Sequence, residues 1–94
     1  MEGLRELLDD HSKQPFPTSV VKGLDYGGVD AVMVGSDIFG WASAIARGDA
    51  LATDERSRLE ELRTELAAAL PAFPAQARPY YSALIDIADA ALRS

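Results

Sequence analysis

Residues 53–71 read TDERSRLEELRTELAAALP, and this stretch decides the fold class. Its leucines recur at intervals of three and four residues, at Leu59, Leu62, Leu66 and Leu70. That spacing places them on one face of an α-helix. Acidic residues follow Thr53, where the helix dipole favours negative charge, and Pro71 ends the pattern. The stretch therefore predicts a long amphipathic helix with one apolar face.

Two more segments show helical spacing, one near each end of the chain. In the first, leucines stand at Leu4, Leu7 and Leu8. Residues 15–17, PFP, end this pattern because a proline forces the residue before it out of helical geometry. In the second, Pro79 suits the first turn of a helix. The apolar face that follows is wide enough for two neighbours and comprises Tyr81, Leu84, Ile85, Ala88 and Leu92.

The segment after the glycine-containing residues 23–28 also favours a helix. Asp30 is its expected N-cap, since a carboxylate there accepts hydrogen bonds from the first backbone N–H groups. Apolar residues then recur at helical spacing, at Ala31, Val34, Ile38, Trp41 and Ile45. Gly48 stands where this helix is expected to end.

Two alternatives stay open for residues 18–35. Short β-branched runs on both sides of the glycines are consistent with a β-hairpin. A mixed arrangement also fits, with a short strand or turn as far as Gly35 and then a helix capped by Ser36 or Asp37. The whole sequence predicts an all-α fold, a small bundle of about four helices in a single domain at residues 1–94. Its glycine-containing connection is a loop, with the short hairpin as the alternative.

The composition indicates an acidic globular domain. Apolar residues make up 48% of the 94 residues and charged residues 26%, which is an ordinary balance. Fifteen Asp and Glu residues against nine Lys and Arg residues give a net charge of −6. This charge repels nucleic acid and favours encounter with a basic protein. A protein partner is therefore expected, and no nucleic acid.

The sequence also predicts a cytoplasmic protein with no membrane partner. It has no cysteine, which excludes disulfides and thiolate chemistry and suits a reducing compartment. The N-terminal segment that begins at Met1 carries acidic residues at Glu2 and Glu6, where a signal peptide would be basic. The longest apolar run, residues 31–34, is far too short to span a bilayer.

The sequence contains no recognisable catalytic or metal-binding constellation. His11 is the only histidine, so a zinc site would lack further nitrogen or sulfur ligands. We interpret His11 as a helix-end residue that suits the dipole at a helix C-terminus. Residues 23–28 lack the lysine and hydroxyl residue of a phosphate loop. The chain is therefore expected not to be an enzyme and to need neither a metal nor a cofactor.

Acidic and aromatic side chains are the candidates for binding. Tyrosine and tryptophan are enriched in the hot spots of protein interfaces, although Trp41 falls on an apolar stripe and is interpreted as core. Adjacent tyrosines on a helix point about 100° apart, so that one of them can stay exposed. The candidate partner-binding residues are Asp25, Tyr26, Asp30, Asp37, Tyr80, Asp86 and Asp89.

The run GVDAVMVGSDIFGW at residues 28–41 resembles a segment of small uncharacterised helical proteins of actinobacterial type. In these proteins a leucine-rich helix follows, and then a C-terminal helix after a Leu-Pro break. Leu70-Pro71 and Tyr80-Tyr81 occupy the corresponding places here, so the resemblance covers residues 28–92. The chain is also similar in type to bacterial toxin-immunity proteins, which are small, acidic and helical with a paired tyrosine.

The favoured function is a non-enzymatic protein-binding module, an immunity- or antitoxin-type inhibitor of a basic protein partner. Complementary charge would speed the encounter, and buried aromatic side chains would supply affinity. One alternative is a self-associating structural or assembly subunit, such as a homodimer. Another is a small-molecule-binding protein or enzyme with a pocket near Trp41.

Overall fold

The computed structural model describes residues 3–94, so the expectations for Met1 and Glu2 lie outside it. Its α-helices are α1 (Leu4–Ser12), α2 (Met33–Ala46), α3 (Thr53–Ala69) and α4 (Arg78–Arg93). Two short strands, β1 (Asp25–Tyr26) and β2 (Val29–Asp30), form an antiparallel hairpin. Short 3-10 turns at Leu70–Ala72 and Ala75–Ala77 join α3 to α4. The all-α bundle of four helices with a short hairpin is confirmed.

Helix α4 lies at the centre of the bundle and packs against α1, α2 and α3. Its wide apolar face explains this position, because side chains on several sides of one helix must all be covered. The sequence predicted two neighbours for this face, and the structure supplies three. The fully or almost fully buried residues of α4 are Tyr81, Leu84, Ile87, Ala88, Ala90 and Ala91.

Helix α3 follows its sequence pattern closely. Leu59, Leu62 and Leu66 are buried, as the leucine stripe predicted. The Glu55 carboxylate accepts a hydrogen bond from the backbone N–H of Ala52 at 3.0 Å, which satisfies a donor at the start of the helix. The α-helix ends two residues before the proline, because Leu70 and Pro71 belong to the tighter 3-10 turn.

Residues 18–35 combine two of the expected arrangements. The hairpin forms, and its two-residue loop has positive φ at both glycines, Gly27 at 59° and Gly28 at 84°, the pattern of a type I′ turn. Asp30 then acts as a cap, since its Oδ1 accepts hydrogen bonds from the backbone N–H groups of Val32 at 2.9 Å and Met33 at 2.8 Å. The α-helix proper begins at Met33, after the turn that Asp30 closes.

An aromatic stack fixes the hairpin to the core. The buried Phe73 ring lies 4.2 Å from the Tyr81 ring and 5.0 Å from the Tyr26 ring, between ring centroids. The Tyr26 hydroxyl also accepts a hydrogen bond from the backbone N–H of Val21 at 3.0 Å. Tyr26 therefore orders the segment that precedes the hairpin as well as the hairpin itself.

Within residues 3–94, no helix combines the length and the apolar character that crossing a membrane requires.

Candidate functional site

Three of the predicted binding residues line one hollow between the hairpin, α2 and α3. We call it the acidic hollow; its volume is about 280 Å³. It is lined chiefly by Asp25, Asp30, Met33, Asp37, Arg58 and Glu65. Four carboxylates thus face one guanidinium, and the hollow carries negative charge. Sequence spacing alone did not place Glu65 and Arg58 beside the three aspartates, because they come from a different helix.

The acidic hollow brings like charges close together. Asp25 and Asp30 are direct partners across the hairpin, and like charges in that position are destabilising. Asp30 is held by the two backbone N–H groups that it caps, whereas Asp25 is exposed. Arg58 is shared between Glu61, at 3.2 Å, and Glu65, at 3.5 Å, on its own helix. A cationic group placed in the hollow would relieve this repulsion.

Exposed apolar side chains lie next to the acidic hollow. We call them the apolar ridge: Val21, Leu24, Val32 and Met33, which are between 37% and 57% exposed. Backbone hydrogen bonds hold their segments together, from the N–H of Leu24 to the carbonyl of Val21 and from the N–H of Ala31 to the carbonyl of Leu24. Met33 belongs to both features, since it also lines the hollow. Large exposed apolar groups beside charge are typical of protein interaction surfaces.

Tyr26 supports the apolar ridge from its buried side. Its ring is half-buried against Phe73, and its hydroxyl receives the N–H of Val21 in the apolar ridge. It therefore positions a ridge residue by local hydrogen bonding. The prediction that Tyr26 contacts a partner rests on its residue type alone.

The remaining candidates lie outside the acidic hollow. Asp86 is exposed on α4. Asp89, one turn further on, accepts two hydrogen bonds from the Arg63 guanidinium, at 2.7 and 3.2 Å. This hydrogen-bonded pair holds the pKa of Asp89 below its usual range and raises the pKa of Arg63. Asp89 thus joins α3 to α4 through this ion pair, and its role as a partner-binding residue stays a prediction.

Tyr80 stands with His11 at a second feature, a cleft between α1, α2 and the start of α4. The two ring centroids are 4.4 Å apart, and both side chains line the cleft. His11 does lie in the last turn of α1, as expected, but it is only 6% exposed. Burial lowers its pKa, so the imidazole is uncharged near neutral pH and does not act as a helix-end cation.

The apolar ridge was not predicted from the sequence, because its residues lie outside any predicted helical stripe. Val21 and Leu24 lie in the irregular segment before the hairpin. Met33 lies off the stripe of Val34 and Ile38, both of which are buried. Their off-stripe position was the available signal, since a large apolar residue off the buried face of an amphipathic helix is left for solvent or a partner.

No group of three or more histidine or acidic side chains in the described part of the chain could hold a metal ion. Comparison with known proteins found no matching family model, no matching curated protein and no matching solved structure.

Proposed function

We propose that the protein is a non-enzymatic binding module of the immunity or antitoxin kind, which inhibits a protein partner with a basic surface. The observation that carries the proposal is the acidic hollow lying directly beside the apolar ridge. A lysine or arginine of the partner would enter the hollow, and an apolar side chain next to it would cover Met33.

The charge distribution supports a basic partner. Several arginines are already engaged within the bundle: Arg5 donates to the carbonyl of Ala46, and Arg78 donates to the carbonyls of Phe73 and Pro71. Their charges are directed at helix ends and turns, while the acidic hollow keeps an excess of carboxylates. Complementary charge of this kind raises the association rate and disfavours wrong partners.

The same charge argues against self-association through this surface. In a symmetric dimer, the same surface of both copies forms the interface, so each residue set on one copy faces its counterpart on the other. Two acidic hollows would then be brought together, with their carboxylates unpaired. A homodimer that forms through other faces remains a prediction, and analytical ultracentrifugation over a range of concentrations tests it.

The proposal includes a cytoplasmic location for the protein. The absence of cysteine from the sequence supports this location.

Identification of the partner followed by charge reversal tests the proposal. The full chain is used to capture proteins from the cells that naturally express it, and each captured protein is purified and titrated by calorimetry. We expect a protein with a basic surface whose own activity falls when the complex forms. Asp25→Lys should weaken binding at least about tenfold, by placing a like charge against the partner.

Asp86→Lys is the matched control, because it changes net charge equally at an exposed site outside the hollow. It should change affinity much less than Asp25→Lys does. Equal losses in both variants would reduce the effect to overall charge and contradict a specific surface. A captured partner that is acidic, or one that Asp25→Lys and Met33→Ala leave bound as tightly as before, would overturn the proposal.

A further inference from the structure

The cleft at His11 is separate from the acidic hollow and has a different character. Its volume is about 540 Å³, within the range of small-molecule sites. Its walls are largely apolar and include Phe16, Val32, Phe39 and Tyr80. Among the described residues, no Asp, Glu, Lys or Arg side chain lines it. The alternative expectation of a pocket near Trp41 stays a prediction, because Trp41 is not among the residues that line this cleft.

His11 is the unusual group in this cleft. Its side chain is more than nine-tenths buried, and neither Nδ1 nor Nε2 has a hydrogen-bond partner within residues 3–94. Buried polar groups in folded proteins are paired in the great majority of cases, so an unpaired ring with both a donor and an acceptor requires an explanation. A bound ligand that supplies the missing hydrogen-bond partner is one explanation.

The cleft also offers aromatic surfaces around that imidazole. The Tyr80 ring lies 4.4 Å from the imidazole and 5.8 Å from the Phe16 ring, and the Phe39 ring lies 6.2 Å from the imidazole. Phe39 and Tyr80 are half-buried and keep exposed surface for a further ring, whereas Lys22 Nζ lies over the half-buried Phe16 ring, 5.3 Å from its centroid. Both imidazole nitrogens are shielded from solvent, so a ligand that pairs with them requires a neighbouring side chain to move.

Glycines on α2 leave room at the floor of the cleft. Gly35 and Gly40 both line it. A Cβ built at Gly40 would meet no atom within 4 Å, and one built at Gly35 would meet only the Leu84 side chain, at 3.6 Å. Each glycine weakens a helix by about 1 kcal/mol relative to alanine. The two glycines therefore leave space in the middle of α2, and they lower the stability of that helix.

We propose that this cleft binds a small, uncharged aromatic compound with a hydroxyl or ring N–H group that pairs with the His11 imidazole. The aromatic walls provide stacking and edge contacts for a ring of the ligand. The absence of charged lining residues, within the described chain, disfavours an ionised ligand, because a buried charge needs a partner. The cleft shares no lining residue with the acidic hollow, and Val32 belongs both to the cleft and to the apolar ridge, so the variants that test each site are chosen away from Val32.

Phenol and toluene are the probes. They have nearly the same shape, but phenol carries a hydroxyl group where toluene carries a methyl group. Isotope-labelled protein is titrated with each compound and followed by NMR, with the His11 side-chain signals as the local reporter. We expect both probes to shift signals of Phe39, Gly40 and Tyr80. In the variant His11→Phe, the affinity for phenol relative to toluene should fall about tenfold, which is the worth of one typical net hydrogen bond.

A second variant keeps the test decisive if His11→Phe folds poorly. Gly40→Leu places a side chain in the open space of the cleft and should abolish binding of both probes without lowering the melting temperature. Ala68→Leu adds the same side chain at an exposed position on α3 and should bind both probes like the wild type. The proposal is overturned if neither probe shifts cleft signals. It is equally overturned if His11→Phe keeps the phenol preference, or if Gly40→Leu folds and binds both probes.

Discussion

The Tyr81 hydroxyl donates a hydrogen bond of 2.7 Å to the backbone carbonyl oxygen of Ala31, and the whole contact is buried. It joins the first turn of α4 to the turn between the hairpin and α2. Burial raises the pKa of Tyr81, so the hydroxyl keeps the proton that it donates. The segment that carries the acidic hollow is thus fixed to the central helix by one bond between residues 50 positions apart.

Tyr81→Phe should lower the free energy of unfolding by about 1–3 kcal/mol, because the buried carbonyl of Ala31 loses its hydrogen bond. Urea denaturation followed by circular dichroism measures this change. Tyr80→Phe removes the same atom from the neighbouring half-buried ring and should stay within about 0.5 kcal/mol of the wild type. Equal effects of the two substitutions would contradict the role given to the Tyr81 bond.

Gly27→Ala should destabilise the fold strongly. A Cβ at Gly27 would lie 2.8 Å from the Cβ of Ala69 and 2.9 Å from its Cα, so backbone would have to move. Its φ of 59° adds strain of about 1–2 kcal/mol for an L-residue, and the clash adds about 1–3 kcal/mol.

Gly28→Ala separates the two causes, because its φ of 84° is also positive while its Cβ would meet nothing within 4 Å. It should cost only the backbone strain, about 1–2 kcal/mol. Thermal or urea unfolding of both variants gives the comparison. If Gly28→Ala were as destabilising as Gly27→Ala, the close packing of the hairpin on α3 would not be a significant part of the fold's stability.

The helices could be predicted from the sequence because their signals are local. The leucines of α3 repeat with the period of the helix that they form, and the Asp30 carboxylate reaches N–H groups two and three residues away. These relationships require only the geometry of one turn. They predicted about four helices and Asp30 as one of the possible caps of α2, with Ser36 and Asp37 as alternatives.

The contacts that form the acidic hollow and the His11 cleft could not be predicted from local sequence patterns. The approach of Gly27 to Ala69 depends on how the hairpin docks on α3. The burial of His11 depends on α1 packing against α4, since Tyr80 is its nearest ring. Such contacts join distant parts of the chain, and one sequence carries no local sign of them. The acidic hollow was therefore foreseen as separate residues and not as a site.

The ion pair of Arg63 and Asp89 should stabilise the contact of α3 with α4. Its two hydrogen bonds and partial burial give it better geometry than the exposed pair of Arg58 and Glu61, which are joined at 3.2 Å. A double-mutant cycle with Arg63→Gln and Asp89→Asn should give a coupling energy of about 0.5–1 kcal/mol.

The cycle with Arg58→Gln and Glu61→Gln is the control and should give about 0.2–0.5 kcal/mol. Both coupling energies should shrink in concentrated salt, since screening weakens exposed charge pairs. A coupling energy for Arg63 and Asp89 no larger than that of the control would mean that Asp89 is available to a partner after all.

Stability should decrease as the pH falls below 6.5, because of His11. Burial lowers its pKa in the folded chain, whereas the unfolded chain takes up the proton near the ordinary value of 6.5. Between these two pKa values the unfolded state binds more protons, so the free energy of unfolding falls by up to about 1.4 kcal/mol per pH unit. His11 is the only histidine, and the lowered pKa of Asp89 acts in a separate window below its ordinary 3.8.

Urea unfolding of the wild type and of His11→Phe at several pH values between 5 and 8 measures this effect. The variant should be at least as stable as the wild type near pH 7, since it removes two unpaired buried nitrogen atoms. Its advantage should then grow as the pH falls, because the phenyl ring takes up no proton. Parallel stability curves for the two proteins would show that folding leaves the His11 pKa at its ordinary value. An NMR titration that puts this pKa above 6.5 would show that the folded chain favours the charged imidazole. The uncharged cleft inferred around it would then be wrong as well.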